Sequence, residues 1–324
     1  MNKDSKEIDI DLVLLANTLD EKLTSVFPIT VYHKTRDQLR ALKKDVKLQL
    51  SVQKEVKEMK DAKDAGITSD AMLQRILKGK EFKPKTLKKS FQGKHFRFGV
   101  VSDTHFCSIH EKIHELHEFY AHCKRQGVDT VVNAGDIVAG WGIYKGQENE
   151  VHTYGADAQI AYVVKNYPKV KGIKTAFITG NHDLSWWNRS GVDIGAKVAE
   201  QREDMVYLGQ YEGFLNIGGV KIQLSHPDGG GAYALSYNAQ KIAEQIPSGK
   251  KPHILIFGHW HTSHYFSYRN IHILNAGCFE GQSLFLKRKG INPVIGGWII
   301  DIEVADDAKK SIISFAPQFF QDYE

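Results

Sequence analysis

Apolar residues change their rhythm once along this chain. From Asp11 to Phe27 they recur every three or four positions, so that Leu12, Leu15, Leu19, Leu23 and Val26 share one helical face before Pro28 ends the run. A second helix is expected from Thr35, with Leu39, Leu42 and Val46 on its face. Val46, Leu48, Leu50 and Val52 then alternate as a strand would, but Val56 and Met59 restore the longer period and the segment is read as helix. A third helix is expected over 69–77, capped by Ser69 or Asp70 and stopped by Gly79. The lysine-rich, proline-containing stretch KGKEFKPKTLKKSFQGKH reads as a linker. From Phe96 the texture becomes short apolar runs separated by amphipathic segments. FRFGVV, TVVNA, TAFIT, KIQLS and HILIF are predicted strands, and 111–126 and 155–167 are predicted helices. The expected organisation is a mainly helical region over residues 1–90 and an α/β domain over 91–324.

Each predicted strand runs into residues with ligand chemistry. FRFGVV leads to Asp103 and His105, TVVNA to Asp136, TAFIT to Asn181, His182 and Asp183, KIQLS to His226, and HILIF to His259 and His261. In α/β folds the carboxyl ends of strands gather on one rim, where sites form. Residues i and i+2 of an extended segment point the same way, so D-x-H and H-x-H pairs can grip one ion or line two adjacent ones. Imidazole with carboxylate suits first-row divalent cations. Seven of these nine, counted as probable ligands, exceed what one catalytic ion with an open position takes, and they suit two ions sharing a carboxylate.

Composition narrows the setting. The 324 residues are 42% apolar, enough for a sizeable core. Three cysteines without CxxC spacing argue against a disulfide scaffold and against a structural zinc site. The LVLL run near the start is bracketed by acids and no apolar stretch approaches ~18 residues, so a cytoplasmic protein without a membrane partner is expected. Charge is uneven: residues 1–97 hold 22 basic against 14 acidic side chains, and residues 34–97 hold 19 against 8. That basic front suits DNA; the other readings are a solvated helical face and an arm that docks a protein partner or a second copy of the chain.

The ordered blocks D-x-H, GD, GNHD, H and GH-x-H resemble the calcineurin-like metallophosphoesterase superfamily. The resemblance implies a four-layer α/β/β/α sandwich of two mixed sheets, preceded here by the helical region. It implies a two-ion centre in which Asp103, His105 and His261 hold the first metal, Asn181, His226 and His259 hold the second, and Asp136 bridges them. His182 would face the scissile phosphate and protonate the leaving oxygen, with Asp183 orienting its ring and raising its pKa. Manganese is the expected divalent ion, with iron, zinc and nickel as alternatives. GDIVAGW has Ala139 where a second aspartate often stands, and the arginine of protein serine/threonine phosphatases is missing. GNHD with GH-x-H is similar to SbcD-type DNA repair exonucleases, and the whole resembles phage- or prophage-type members.

Beside the blocks, Trp186 and Trp187 are candidates to stack on bases and Arg189 to pair with phosphate; the competing reading puts one tryptophan in the core and the other in a lid. His110, His114 and His117 fall on one solvated helix face, and His264 is a substrate-side or surface residue. The expected function is a dimetal phosphodiesterase, foremost a DNA nuclease or exonuclease. Alternatives are a metallophosphatase or phosphodiesterase for a small-molecule or protein phosphate, and a DNA-binding or structural protein with a vestigial centre.

Overall fold

The computed structural model describes residues 84–90, 93–305 and 311–321, so the helices expected before Gly79 lie outside the described residues. The chain divides between Glu81 and Phe82. Within the second part, the alternation of apolar residues along three short strands sets the layering. In β2 (His95–Val101), Phe98 and Val100 face one apolar cluster and Val101 the other. In β3 (Thr130–Asn133), Val132 and Val131 divide in the same way, as do Ile178 and Phe177 in β4 (Lys174–Thr179). Strands buried on both faces carry continuous apolar runs, which is why these stood out in the sequence.

They form the middle of one six-stranded sheet, ordered β12–β11–β2–β3–β4–β5, with β5 at Met205–Gln210, β11 at Gly296–Val304 and β12 at Ile312–Gln321. Strands β2 to β5 run parallel, whereas β11 and β12 join antiparallel. The second sheet is ordered β1–β6–β7–β8–β10–β9. Its strands are β1 (Thr86–Lys89), β6 (Glu212–Ile217), β7 (Val220–Ser225), β8 (Ile254–Phe257), β9 (Ser263–Tyr268) and β10 (Ile271–Ala276).

Between the sheets lies a cluster in which Phe98, Val132 and Ile178 meet Leu215, Ile222, Leu224, Ile254, Ile256 and Leu274. The first sheet's other face is covered by α1 (Ile113–Arg125), α2 (Ala156–Asn166), α3 (Asn181–Ser190) and α4 (Ile194–Gln201) through Leu116, Phe119, Ile160, Val163, Trp186 and Val198. Over the second sheet's other face, α5 (Tyr237–Gln245) packs Ala239 and Ala243 on Leu255, Phe257 and Ile273. The architecture is the four-layer sandwich of two mixed sheets. A short α6 (Leu284–Arg288) follows β10. Each fully buried Ile or Leu in these clusters contributes roughly 1.5–3 kcal/mol. Among the described residues, no helix is long and apolar enough to cross a membrane.

Two local readings change. The stretch read as a linker contains β1, whose Thr86 to Lys89 pair in parallel with Phe214 to Ile217. Leu87, its single apolar side chain, packs on the inter-sheet cluster, and its lysines keep an edge strand from further pairing. Helix α1 begins at Ile113, so His110 lies in the preceding loop, with Nε2 3.1 Å from Glu150 Oε1. His117 donates to the Asn166 carbonyl at 2.9 Å, and His114 remains exposed beside Glu118.

Candidate metal centre

The seven expected ligands follow β2, β3, β4, β7 and β8, six of them on loops and Asn181 as the first residue of α3. Those loops are tied to one another: Asp103 N–H donates to the Gly135 carbonyl at 2.9 Å, His105 N–H to that of Asp136 at 3.1 Å, and His259 N–H to Asp103 Oδ2 at 2.9 Å. Five of the seven adopt left-handed backbone, with φ of 49° at Asp103, 39° at His105, 52° at Asp136, 80° at His259 and 52° at His261. Asp and His tolerate that region better than most residues, yet a cluster of such conformations marks a place where the chain is held for chemistry. Gly180 opens α3 against the centre; a Cβ there would lie 2.3 Å from Asp136 Oδ1 and 2.5 Å from His226 Nε2.

Three overlapping groups of donors result: Asp103, His105 and His261 form the first, Asp136, His226 and His259 the second, and His105, Asp136 and His182 a third that spans them. In the first, His105 Nε2 and His261 Nε2 are 3.1 Å apart, and Asp103 Oδ1 is 3.4 Å from His261 Nε2. In the second, His226 Nε2 lies 3.1 Å from Asp136 Oδ2 and 3.2 Å from Asn181 Oδ1. Asp136 Oδ2 is also 3.9 Å from His105 Nε2, which puts one carboxylate between the two groups.

Backbone carbonyls fix the tautomers of the second group. His226 Nδ1 donates to Ala134 O at 2.8 Å and His259 Nε2 donates to Gly229 O at 2.8 Å. What His226 Nε2 then offers is a lone pair, aimed at two further acceptors, Asp136 Oδ2 and Asn181 Oδ1. Three acceptors converge only around a proton or a cation. Without an ion the proton answers: burial disfavours charge on His226, but the Asp136 carboxylate outweighs it and lifts the imidazole to about 9. The same imbalance holds Asp136 well below the usual carboxylate range, since burial would raise it and His226 and His182 pull it down. Asp103 is lowered likewise, against its own burial, by His105 and His261. Buried His105 Nδ1 and His261 Nδ1 have no hydrogen bond of normal geometry among the described residues. Oxygen and imidazole donors at these separations fit divalent first-row cations.

His182 stands beside the first group, and its ring is not held by Asp183. Its ring stands edge-on to His105 with centroids 4.4 Å apart, partly open to solvent, and Nδ1 donates to the Ala139 carbonyl at 2.7 Å. Asp183 turns the other way: its carboxylate accepts backbone N–H groups of Gly180 at 2.8 Å, Val138 at 2.9 Å and Ile137 at 3.2 Å. It pins the GD loop to the start of α3. Burial and the neighbouring Asp136 push Asp183 up to about 7. Burial, with Asp136 opposing, brings His182 down to about 4, so in the ion-free protein the ring is neutral at neutral pH.

Among the rim candidates, Trp186 is 9% exposed and donates its indole N–H to Gln159 Oε1 at 2.8 Å, which makes it a core side chain rather than a stacking platform. Trp187 is half-buried, and exposed Arg189 donates Nε–H to the Trp141 carbonyl at 3.1 Å. His264, on β9, stacks on Phe266. Two residues escaped notice in the sequence. Tyr211, at φ 58°, receives the His226 N–H on its carbonyl and is exposed near the second group. Glu280 reaches the first group from the loop after β10. A cavity of about 540 Å³ lies at the opposite ends of β2 and β3, lined by His95, Arg97, Asp129 and Asp301 and by none of the expected ligands.

Residues 96–287 match the family model described as the calcineurin-like phosphoesterase superfamily domain. A DNA polymerase II small subunit from Methanothermobacter thermautotrophicus is 26% identical over 205 residues, covering 52% of this chain and 42% of that protein. One from Archaeoglobus fulgidus is 26% identical over 247 residues, covering 62% and 50%. The chain thus spans about half the length of the curated relatives it matches. A solved archaeal phosphodiesterase aligns with 69% of this chain and 100% of its own at 14% identity and a TM-score of 0.39. With its ordered donor blocks on two facing sheets, the chain belongs to the calcineurin-like phosphoesterase superfamily.

Proposed function

We propose that this chain is a two-ion phosphodiesterase that hydrolyses DNA. The observation that carries the hydrolytic part is the convergence of acceptors: Asp136 Oδ2 and Asn181 Oδ1 both lie within 3.2 Å of His226 Nε2, beside another donor set that reaches Asp136 through His105. Asp103, His105 and His261 would hold one divalent cation, with manganese foremost, and Asn181, His226 and His259 the other, with Asp136 between them. Such a pair of cations, when bound, supplies Lewis acidity to a phosphoester and acidifies water.

The chain's own part falls to His182. Its Nδ1–H is committed to Ala139 O, which leaves Nε2 to face the substrate. An anionic phosphoester beside that ring favours its protonated form, and the proton then sits where a departing alkoxide needs it. Asp183 acts through the backbone, holding the loop of Asp136 against the helix that carries His182. The name borne by the relatives, DNA polymerase II small subunit, and the basic residues over 34–97 support DNA as the polymer. The likeness of GNHD and GH-x-H to SbcD-type enzymes favours exonucleolytic cutting. The relatives' name also favours a second reading, in which the chain docks on a partner protein and cuts nothing; the intact donor set counts against it.

The test is a substrate panel in manganese with wild type and His182→Ala. Hydrolysis of bis-(p-nitrophenyl) phosphate and of labelled single- or double-stranded DNA is expected. His182→Ala should be slower by about 10²–10⁴-fold, with manganese stoichiometry unchanged. Identical behaviour of the two proteins on every substrate would overturn the catalytic reading. Activity on the monoester alone would move the assignment to a phosphatase.

A further inference from the structure

We propose that Glu280 is an additional carboxylate of the first cation position, and that its charge makes this position load before the second. The inference rests on the two-ion reading above and assigns a residue outside the five motif blocks. Glu280 is 6% exposed. Its segment is clamped to the loop that carries Asp103 and His105: Phe279 N–H donates to Asp103 O at 3.0 Å, Lys112 N–H to Phe279 O at 2.8 Å, and Gly281 N–H to His110 O at 2.8 Å. The carboxylate is therefore positioned by main chain on both sides.

Its two oxygens are used differently. Oε1 accepts the Ser108 hydroxyl at 2.9 Å, which fixes the rotation of the group. Oε2 then faces the first donor set, 3.7 Å from His105 Nε2 and 3.9 Å from His261 Nδ1. His261 Nδ1 is buried without a hydrogen bond of normal geometry, with the Cys278 thiol beside the ring. An imidazole that gives its lone pair to a cation is neutral and cannot balance a buried carboxylate. A dication shared with Asp103 can.

The consequence is an asymmetry. Asp103, Glu280 and the shared Asp136 surround the first position with three carboxylates. At the second, neutral Asn181 stands where a further charge would be, and Asp136 is shared. Divalent cations should bind the more anionic position first.

Isothermal titration of Mn²⁺ into the full chain, stripped of metal, tests this in wild type, Glu280→Gln and His259→Ala, alongside thermal unfolding with and without Mn²⁺. Wild type should show two binding steps. Glu280→Gln should weaken the tighter step by tenfold or more and leave the other within about twofold, whereas His259→Ala should remove the weaker one. Gln keeps an acceptor for Ser108, so the metal-free variant should melt no lower than wild type, and its gain in Tm on adding Mn²⁺ should shrink. If wild type binds two ions and Glu280→Gln binds both equally well, this inference fails and the two-ion reading stands. If wild type binds no divalent cation, both fail.

Discussion

At the scale of single residues, the ligand candidates could be read from the sequence because each follows directly on a strand, and chain order alone brought them to one rim. Asp183 could not be read the same way. Its targets, the amides of Ile137 and Val138, are remote in sequence and close only in the fold. Its adjacency to His182 suggested a ring partner that geometry denies. Glu280 was hidden for a similar reason: it sits in no motif, and only the pairing of its loop with the segment after β2 brings it in. A measurable difference follows for Asp183. Asp183→Asn replaces an acceptor oxygen with a donor against backbone N–H groups and should lower stability by about 2–3 kcal/mol in urea unfolding. A shift in the pH–rate profile with unchanged stability would instead restore a ring-orienting role.

At the scale of elements, the five central strands were visible because both their faces are buried. The edge strands β1, β5, β9 and β12 and the half-exposed β6 were missed, and so were β10 and β11, although both are interior to their sheets and largely buried. Strand β12 includes Pro317, tolerated because only β11 pairs with it, and β9 is largely polar. Helix α2 ends on a device with no sequence signal: Arg202, 3% exposed, donates to the carbonyls of Val164, Tyr167 and Pro168 and pairs with Asp204. Arg202→Ala leaves those carbonyls and a carboxylate without their partner and should cost about 3 kcal/mol. Burial raises Asp204, but the guanidinium outweighs it and holds the carboxyl below its usual range. The pair's contribution is therefore complete above the unfolded carboxyl's value near ~4 and is lost as pH falls through the depressed folded value. Wild type should lose more stability than Arg202→Ala between pH 5 and pH 2, and parallel curves would refute the linkage. In the loop before α5, Gly229 has φ 97° and accepts hydrogen bonds from both His259 and Trp260. Gly229→Ala strains that turn, and the second manganese step should weaken about tenfold while the first holds.

At the scale of the whole molecule, the sandwich recruits its edge strand from the lysine-rich stretch that read as a linker, so a boundary drawn after Ser90 cuts into the fold. Removing residues 1–81 should leave the Tm within about 2 °C, whereas removing residues 1–90 deletes β1 and should lower it by about 4 °C or more. If the basic front grips DNA, the shorter deletion will also weaken DNA binding and flatten its salt dependence. Unchanged affinity and slope would leave that region to another partner.

Three histidines of the centre, His182, His226 and His259, have their protons assigned by the carbonyls of Ala139, Ala134 and Gly229. Those acceptors belong to the peptide backbone, which every residue type possesses. An alanine scan around the centre would pass over positions 134 and 139 without a signal, and sequence drift there leaves the tautomers untouched as long as the loops keep their course. The proton map of this centre is encoded in the path of the chain, and a change of path, by insertion or by proline, is what would rewrite it.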